Sequence, residues 1–206
     1  MKLALPLLLV ASTARGDVDW AKGLVTADGL GIADRHAPSP AVALSTSRHV
    51  AEDAARRVLR EQVGTLPVAS GGTLATRAKA ADVQARVDRA IADAFVVDAE
   101  PETDGSWHVT MALPIEAVRQ ALVGPRTLAP GGDDSVPVVV VDGAAAKPAM
   151  GYRIGGFDAA AVFVEDVPGW AHDAPHVRAT RGHGDAIELA NKLGGPATVF
   201  VIAGKR

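Results

Sequence analysis

Val25 to Pro40 reads "VTADGLGIADRHAPSP", and two readings compete for it. Gly29, Gly31 and Asp34 follow an apolar run, as they would in a dinucleotide-binding loop. That loop needs its glycines at the turn itself, so that the helix N-terminus points at the pyrophosphate. Here the helix start lies well beyond Gly31, at Ser39-Pro40, and Asp34 takes the third glycine position. Serine caps free amides and proline at the first helical position loses no hydrogen bond. The stretch therefore reads as a strand, Gly23 to Ala33, whose glycines relieve crowding where it exits, then a turn, then a helix.

Outward from Pro40, helical spacing runs from Ala41 to Val63, with Gly64 as the stop. Val50, Ala54, Val58 and Ala51, Ala55, Leu59 make one apolar stripe. Arg48, Glu52, Asp53, Arg56, Arg57, Arg60 and Glu61 form a charged, solvated face, with favourable pairs four residues apart. A second strand is expected over Leu66 to Thr76, interrupted by Gly71 and Gly72, and a second helix over Ala81 to Ala94. Phe95 to Glu100 and Ser106 to Leu113 read as a hairpin turned by Asp104-Gly105. In its second arm Trp107, Val109, Met111 and Leu113 share one face. A short helix, Ile115 to Leu122, closes the unit.

Gly124 to Ser135, "GPRTLAPGGDDS", is rich in turn formers and reads as a linker. Beyond it, strands are expected at Val136 to Val141, Ala159 to Val164 and Thr198 to Ala203, and a helix at Asp185 to Leu193. The expected class is α+β: two layers, helices packed on a mainly antiparallel sheet, with a smaller α/β C-terminal part. The expected division is 1–16 leader, 17–123 main domain, 124–135 linker and 136–206 C-terminal subdomain. With aromatic residues at 4%, the core must be built from Ala, Val, Leu and Ile.

The leader reading rests on Met1-Lys2, the apolar Leu3 to Ala11 and the small residues Ser12-Thr13-Ala14. This is the pattern of a secretory signal cleaved near Ala14 or Gly16, too short to span a bilayer. No transmembrane segment is expected after cleavage. The chain has no cysteine. That excludes disulfides, thiol catalysis, cysteine-bound zinc and a lipid anchor on a junction cysteine. A formal charge of −3, one unit more negative once Lys2 is lost, argues against nucleic acid as a partner.

Trp20, Gly23, Ala27, Gly29, Gly31, Ala51, Ala54, Ala55, Arg57 and Leu59 together make a glycine-bearing strand followed by an alanine-rich helix. On these residues Val18 to Gly64, extending to about Leu122, resembles the LPP-type bacterial envelope lipoproteins and the N-terminal domain of flagellar assembly protein T. Two departures stand out: the lipobox cysteine is missing, and Ser45, Thr46 and Ser47 put hydroxyls where alanines would be usual. The resemblance implies a non-enzymatic periplasmic or secreted envelope protein that docks onto other envelope proteins or onto itself, as an accessory to a cell-envelope or flagellar-type assembly. The charged face of the first helix and an exposed edge strand are the expected contact surfaces.

Competing chemistry is thin. No Gly-x-Ser-x-Gly elbow occurs, and Asp133-Asp134 and Glu100 with Glu102 lie in expected turns. No cofactor and no catalytic residue are expected. The alternative function is a periplasmic metal- or small-ligand-binding protein using His172, His176 and His183 in "GWAHDAPHVRATRGHGD". Two histidines four apart can share a metal on a helix, but Pro175 between His172 and His176, with Pro168 and Gly169 before them, argues against a helix there and leaves a loop site as the form such binding would take.

Overall fold

The computed structural model describes residues 15–124, 138–158, 160–193, 197 and 199–204. The leader, 1–14, and all of the linker but Gly124 lie outside the described residues. The chain is a mixed α+β protein with two sheets.

The first sheet is antiparallel throughout and contains β1 (Gly16–Asp19), β2 (Leu24–Gly31), β3 (Phe95–Pro101) and β4 (Trp107–Pro114), in the order β1-β2-β4-β3. The long helix α1 (Pro40–Thr65) lies across one face of it. Its start is as expected, with the Val42 N–H donating to Ser39 Oγ at 3.3 Å. Its end is two residues later than expected: Gly64 is passed through and Leu66 caps the helix, its N–H on the Val63 carbonyl.

The β2–β4 register explains the glycines of the opening stretch. Val25, Ala27, Gly29 and Gly31 sit opposite Leu113, Met111, Val109 and Trp107, which places all eight on the face that meets α1. The helix contributes Ser47, Ala51, Ala55, Leu59 and Val63, all buried. A Cβ on Gly29 would strike the Ala51 carbonyl oxygen, and one on Gly31 the Ser47 carbonyl oxygen. The glycines thus lie within the strand and let the helix backbone come down onto it. The expected apolar stripe is narrower than its sequence, since Val50 is 48% exposed and Ser47 takes a place in the core.

The unit is completed by α2 (Leu74–Arg77), α3 (Ala81–Ala92) and α4 (Ile115–Val123). The strand expected over Leu66 to Thr76 is not formed. Gly71 and Gly72 adopt φ of 95° and 79°, folding the segment back so that isolated bridges, Pro67–Thr73 and Val68–Met150, stand in place of a strand before α2. Arg77 fixes this turn by donating to the carbonyls of Ser70 and Gly71.

The second sheet has seven strands in the order β7-β6-β10-β9-β5-β11-β8. They are β5 (Val138–Asp142), β6 (Arg153–Ile154), β7 (Phe157–Asp158), β8 (Ala160–Val164), β9 (His176–His183), β10 (Ala186–Leu189) and β11 (Val199–Ala203). At one end of it β9, β5, β11 and β8 run parallel. The continuous apolar runs of β5, VVVVD, and β11, VFVIA, suit burial on both faces. Val139, Val141, Phe200 and Ile202 enter one apolar cluster, Val140 and Val201 the other.

Two expectations fail in this half. Asp185 to Leu193 is not a helix, because Ile187 and Leu189 alternate into a hairpin with β9, turned at Gly184 with φ 61°. Nor is the C-terminal part α/β: among its described residues the only helical element is a 3-10 turn, Gly169–Ala171.

The two sheets are joined directly. Phe163 N–H donates to the Trp20 carbonyl at 3.1 Å, and the Trp20 and Phe163 rings meet edge to face. Met150 bridges Val68 and is buried in the first core.

Candidate functional site

The three histidines do not converge. His172 follows the 3-10 turn, with its Nε2 3.2 Å from the Val167 carbonyl. His176 opens β9 and holds Asp142 Oδ2 with its Nδ1 at 2.9 Å. His183 closes the same strand, and its side chain lies outside the described residues. Seven steps of extended chain separate His176 from His183 by about 23 Å, whereas zinc–nitrogen bonds are roughly 2 Å. Among the described residues, no group of three or more His, Asp or Glu side chains could hold a metal ion. The dinucleotide reading of Gly29 and Gly31 fails on the same kind of evidence, for α1 backbone fills the space a phosphate would need.

Two surfaces and one of several recesses stand out among the described residues. The exposed side of α1 is largely self-neutralised: Glu52 pairs with Arg48 and Arg56, Asp53 with Arg56, and Arg60 with Asp88. Exposed pairs of this kind contribute ~0.2–1 kcal/mol each, so they describe a solvated surface.

Strand β3 differs. It is an edge of the first sheet, and its sequence places Phe95 and Val97 in solvent, 46% and 53% exposed. A bulge between Val96 and Asp98 pushes Val97 out of the ladder, while Val96 and Ala99 still pack inward. Asp98 and Glu100 lie on the sheet face away from α1, beside Thr110 and His108. Asp28 accepts from Thr110 there at 2.7 Å.

The recess is a cleft of about 260 Å³ between the two sheets. Trp20, Leu24 and Ile115 line it from the first unit, Met150, Tyr152 and Val162 from the second. Into its wall α4 brings Arg119, a guanidinium only 4% exposed, whose Nε and Nη2 donate to Glu116 at 2.7 and 2.9 Å. Gln120 donates to the same carboxylate. At the rim Lys22 stands 3.3 Å from Asp19. The Asp19 carboxyl is held below its usual range, first by the Lys22 backbone N–H, with burial opposing it and the Lys22 ammonium and the Ala21 N–H adding to it. Burial raises the Tyr152 hydroxyl above its usual value, keeping it a neutral donor to the Lys147 carbonyl.

Sequence reasoning missed this cleft because no local signal marks it. Its walls come from five separate stretches of chain, and only the charged Glu116-x-x-Arg119 on an otherwise apolar helix hints at a buried pair. No helix among the described residues is long and apolar enough to cross a membrane. No protein-family model matches the chain, and no curated protein matches its sequence.

Proposed function

We propose that this is an exported, non-enzymatic envelope protein that works by protein contact, with β3 and the adjoining open sheet face as its docking surface. The observation that carries the reading is the exposure of Phe95 and Val97 on an edge strand. An unpaired row of backbone donors and acceptors flanked by apolar side chains is the arrangement by which sheets accept a partner strand. Asp98 and Glu100 act against pairing with a second copy, because antiparallel self-pairing centred on Ala99 would set like charges side by side. The partner is therefore another envelope protein.

The LPP-like identity of the first unit, as a two-layer module, belongs to this proposal. It is supported by the small-residue contact of Gly29 and Gly31 with α1. Export is supported by the leader-like residues before Arg15. Cleavage after Ala14 would leave intact the bond from Asp28 N–H to the Arg15 carbonyl and the pairing of Gly16 with Ala27.

The test is affinity capture with the full chain against a detergent-solubilised envelope fraction, comparing the natural protein with Val97→Asp. Envelope proteins retained by the natural chain and lost with the variant are expected. Identical retention by both would refute the surface.

A further inference from the structure

The cleft between the sheets has features that packing alone does not account for. Arg119 is almost wholly buried, yet of its five N–H donors only two are used, both on Glu116. Its Nη1 meets no acceptor among the described residues, yet it is not a fully buried orphan, since Trp107 Nε1 alone has that status there. Nη1 therefore keeps contact with solvent and is open to an acceptor on a ligand. The surrounding wall is apolar, formed by Trp20, Ile115, Met150 and Val162. Lys22 at the rim is 76% exposed and tied only to Asp19. A loosely held surface pair of this kind can exchange partners at little cost.

We propose that this cleft binds a small monocarboxylate with an apolar body, its carboxylate on Arg119 and within reach of Lys22. The size follows from the volume: at about 260 Å³ the cleft lies just under the ~300–1,000 Å³ usual for small-molecule sites, so its occupant is small. A straight-chain acid of about eight carbons or an aryl carboxylate fits. An Arg–carboxylate contact in a water-poor wall supplies orientation, and the apolar body supplies burial. Because both sheets line the cleft, an occupant also holds the two halves together.

This site is separate from β3, so it stands or falls independently of the docking surface. The test is a ¹H–¹⁵N NMR titration of the full chain with octanoate and, in parallel, with octan-1-ol. Octanoate should shift the Trp20 indole and the Met150 amide at sub-millimolar concentration, with octanol at least ~10-fold weaker, a ratio that reports the head group. Ala160→Leu fills the cleft and should abolish both titrations. Lys22→Gln should weaken octanoate several-fold without changing octanol, and Val97→Asp should change neither. No shift up to about 5 mM octanoate, a Kd too weak for a built site, would overturn the proposal. So would equal binding of the alcohol, or shifts that survive Ala160→Leu.

Discussion

Adding one methyl group at Gly29 should damage this protein more than most core truncations would. The new Cβ would overlap the Ala51 carbonyl oxygen and lie 2.5 Å from the Ala55 nitrogen. Both are backbone atoms of α1, which cannot rotate away as a side-chain end would. At Gly31 the Ser47 carbonyl oxygen and the Ala51 nitrogen, 2.7 Å away, play the same part. The only relief is for α1 to lift from β2, and that opens gaps around Ala51, Ala55 and Leu59, all fully buried. Overpacking costs ~1–3 kcal/mol where neighbours can adjust, so about 3 kcal/mol or more is expected for Gly29→Ala where they cannot. For a chain of this size ~2–4 °C is lost per kcal/mol, giving a fall in Tm of about 6–12 °C. Gly169→Ala is the matched control, since nothing lies within 4 Å of its added Cβ and its φ is not positive. Thermal unfolding followed by circular dichroism makes the comparison. If Gly29→Ala and Gly169→Ala melt together, the close approach of α1 to β2 is wrong.

Two further outcomes follow from single side chains. Ser47 is fully buried, and its hydroxyl lies 3.0 Å from the Leu44 carbonyl and 2.9 Å from that of Gly105 in the hairpin turn. Ser47→Ala should cost ~1–2 kcal/mol in urea unfolding with an unchanged slope, and a loss near zero would mean the helix-to-turn bond is absent. Asp19 has a lowered carboxyl pKa in the folded chain, so its contribution is present above the unfolded value, about 3.9, and is lost as pH falls through the lower folded value. The stability gap between the natural chain and Asp19→Asn should therefore be constant above about pH 5 and shrink below about pH 4. A gap that does not change with pH would contradict the role of the ionised carboxylate.

What the sequence disclosed, and what it did not, divides along local against long-range causes. The start of α1 was readable because Ser39 and Pro40 act within one turn. The β3–β4 hairpin was readable because its alternation and Asp104-Gly105 turn are local too. Asp185 to Leu193 is ambiguous in sequence because Ile187, Ala190 and Leu193 recur at helical spacing while Ile187 and Leu189 alternate as in a strand, and pairing with β9 decides between them. Gly71 and Gly72 are plain in the sequence, but their effect, a reversal in place of a strand, depends on Arg77 closing the turn. The glycines of "VTADGLG" were rightly separated from phosphate binding, yet their contact with α1 needs the β2–β4 register to be known. Edge exposure at Val97 and the burial of Arg119 are tertiary facts, and no window of sequence contains them.

On the proposed function, β3 and not the charged side of α1 meets a partner. Photocrosslinking in intact cells tests it, with benzoylphenylalanine placed at Val97 on β3 and, in a second strain, at Arg57 on the exposed side of α1. Discrete adducts with envelope proteins are expected from position 97 and none from position 57. Adducts from 57 alone, or from neither position, would contradict the proposed function.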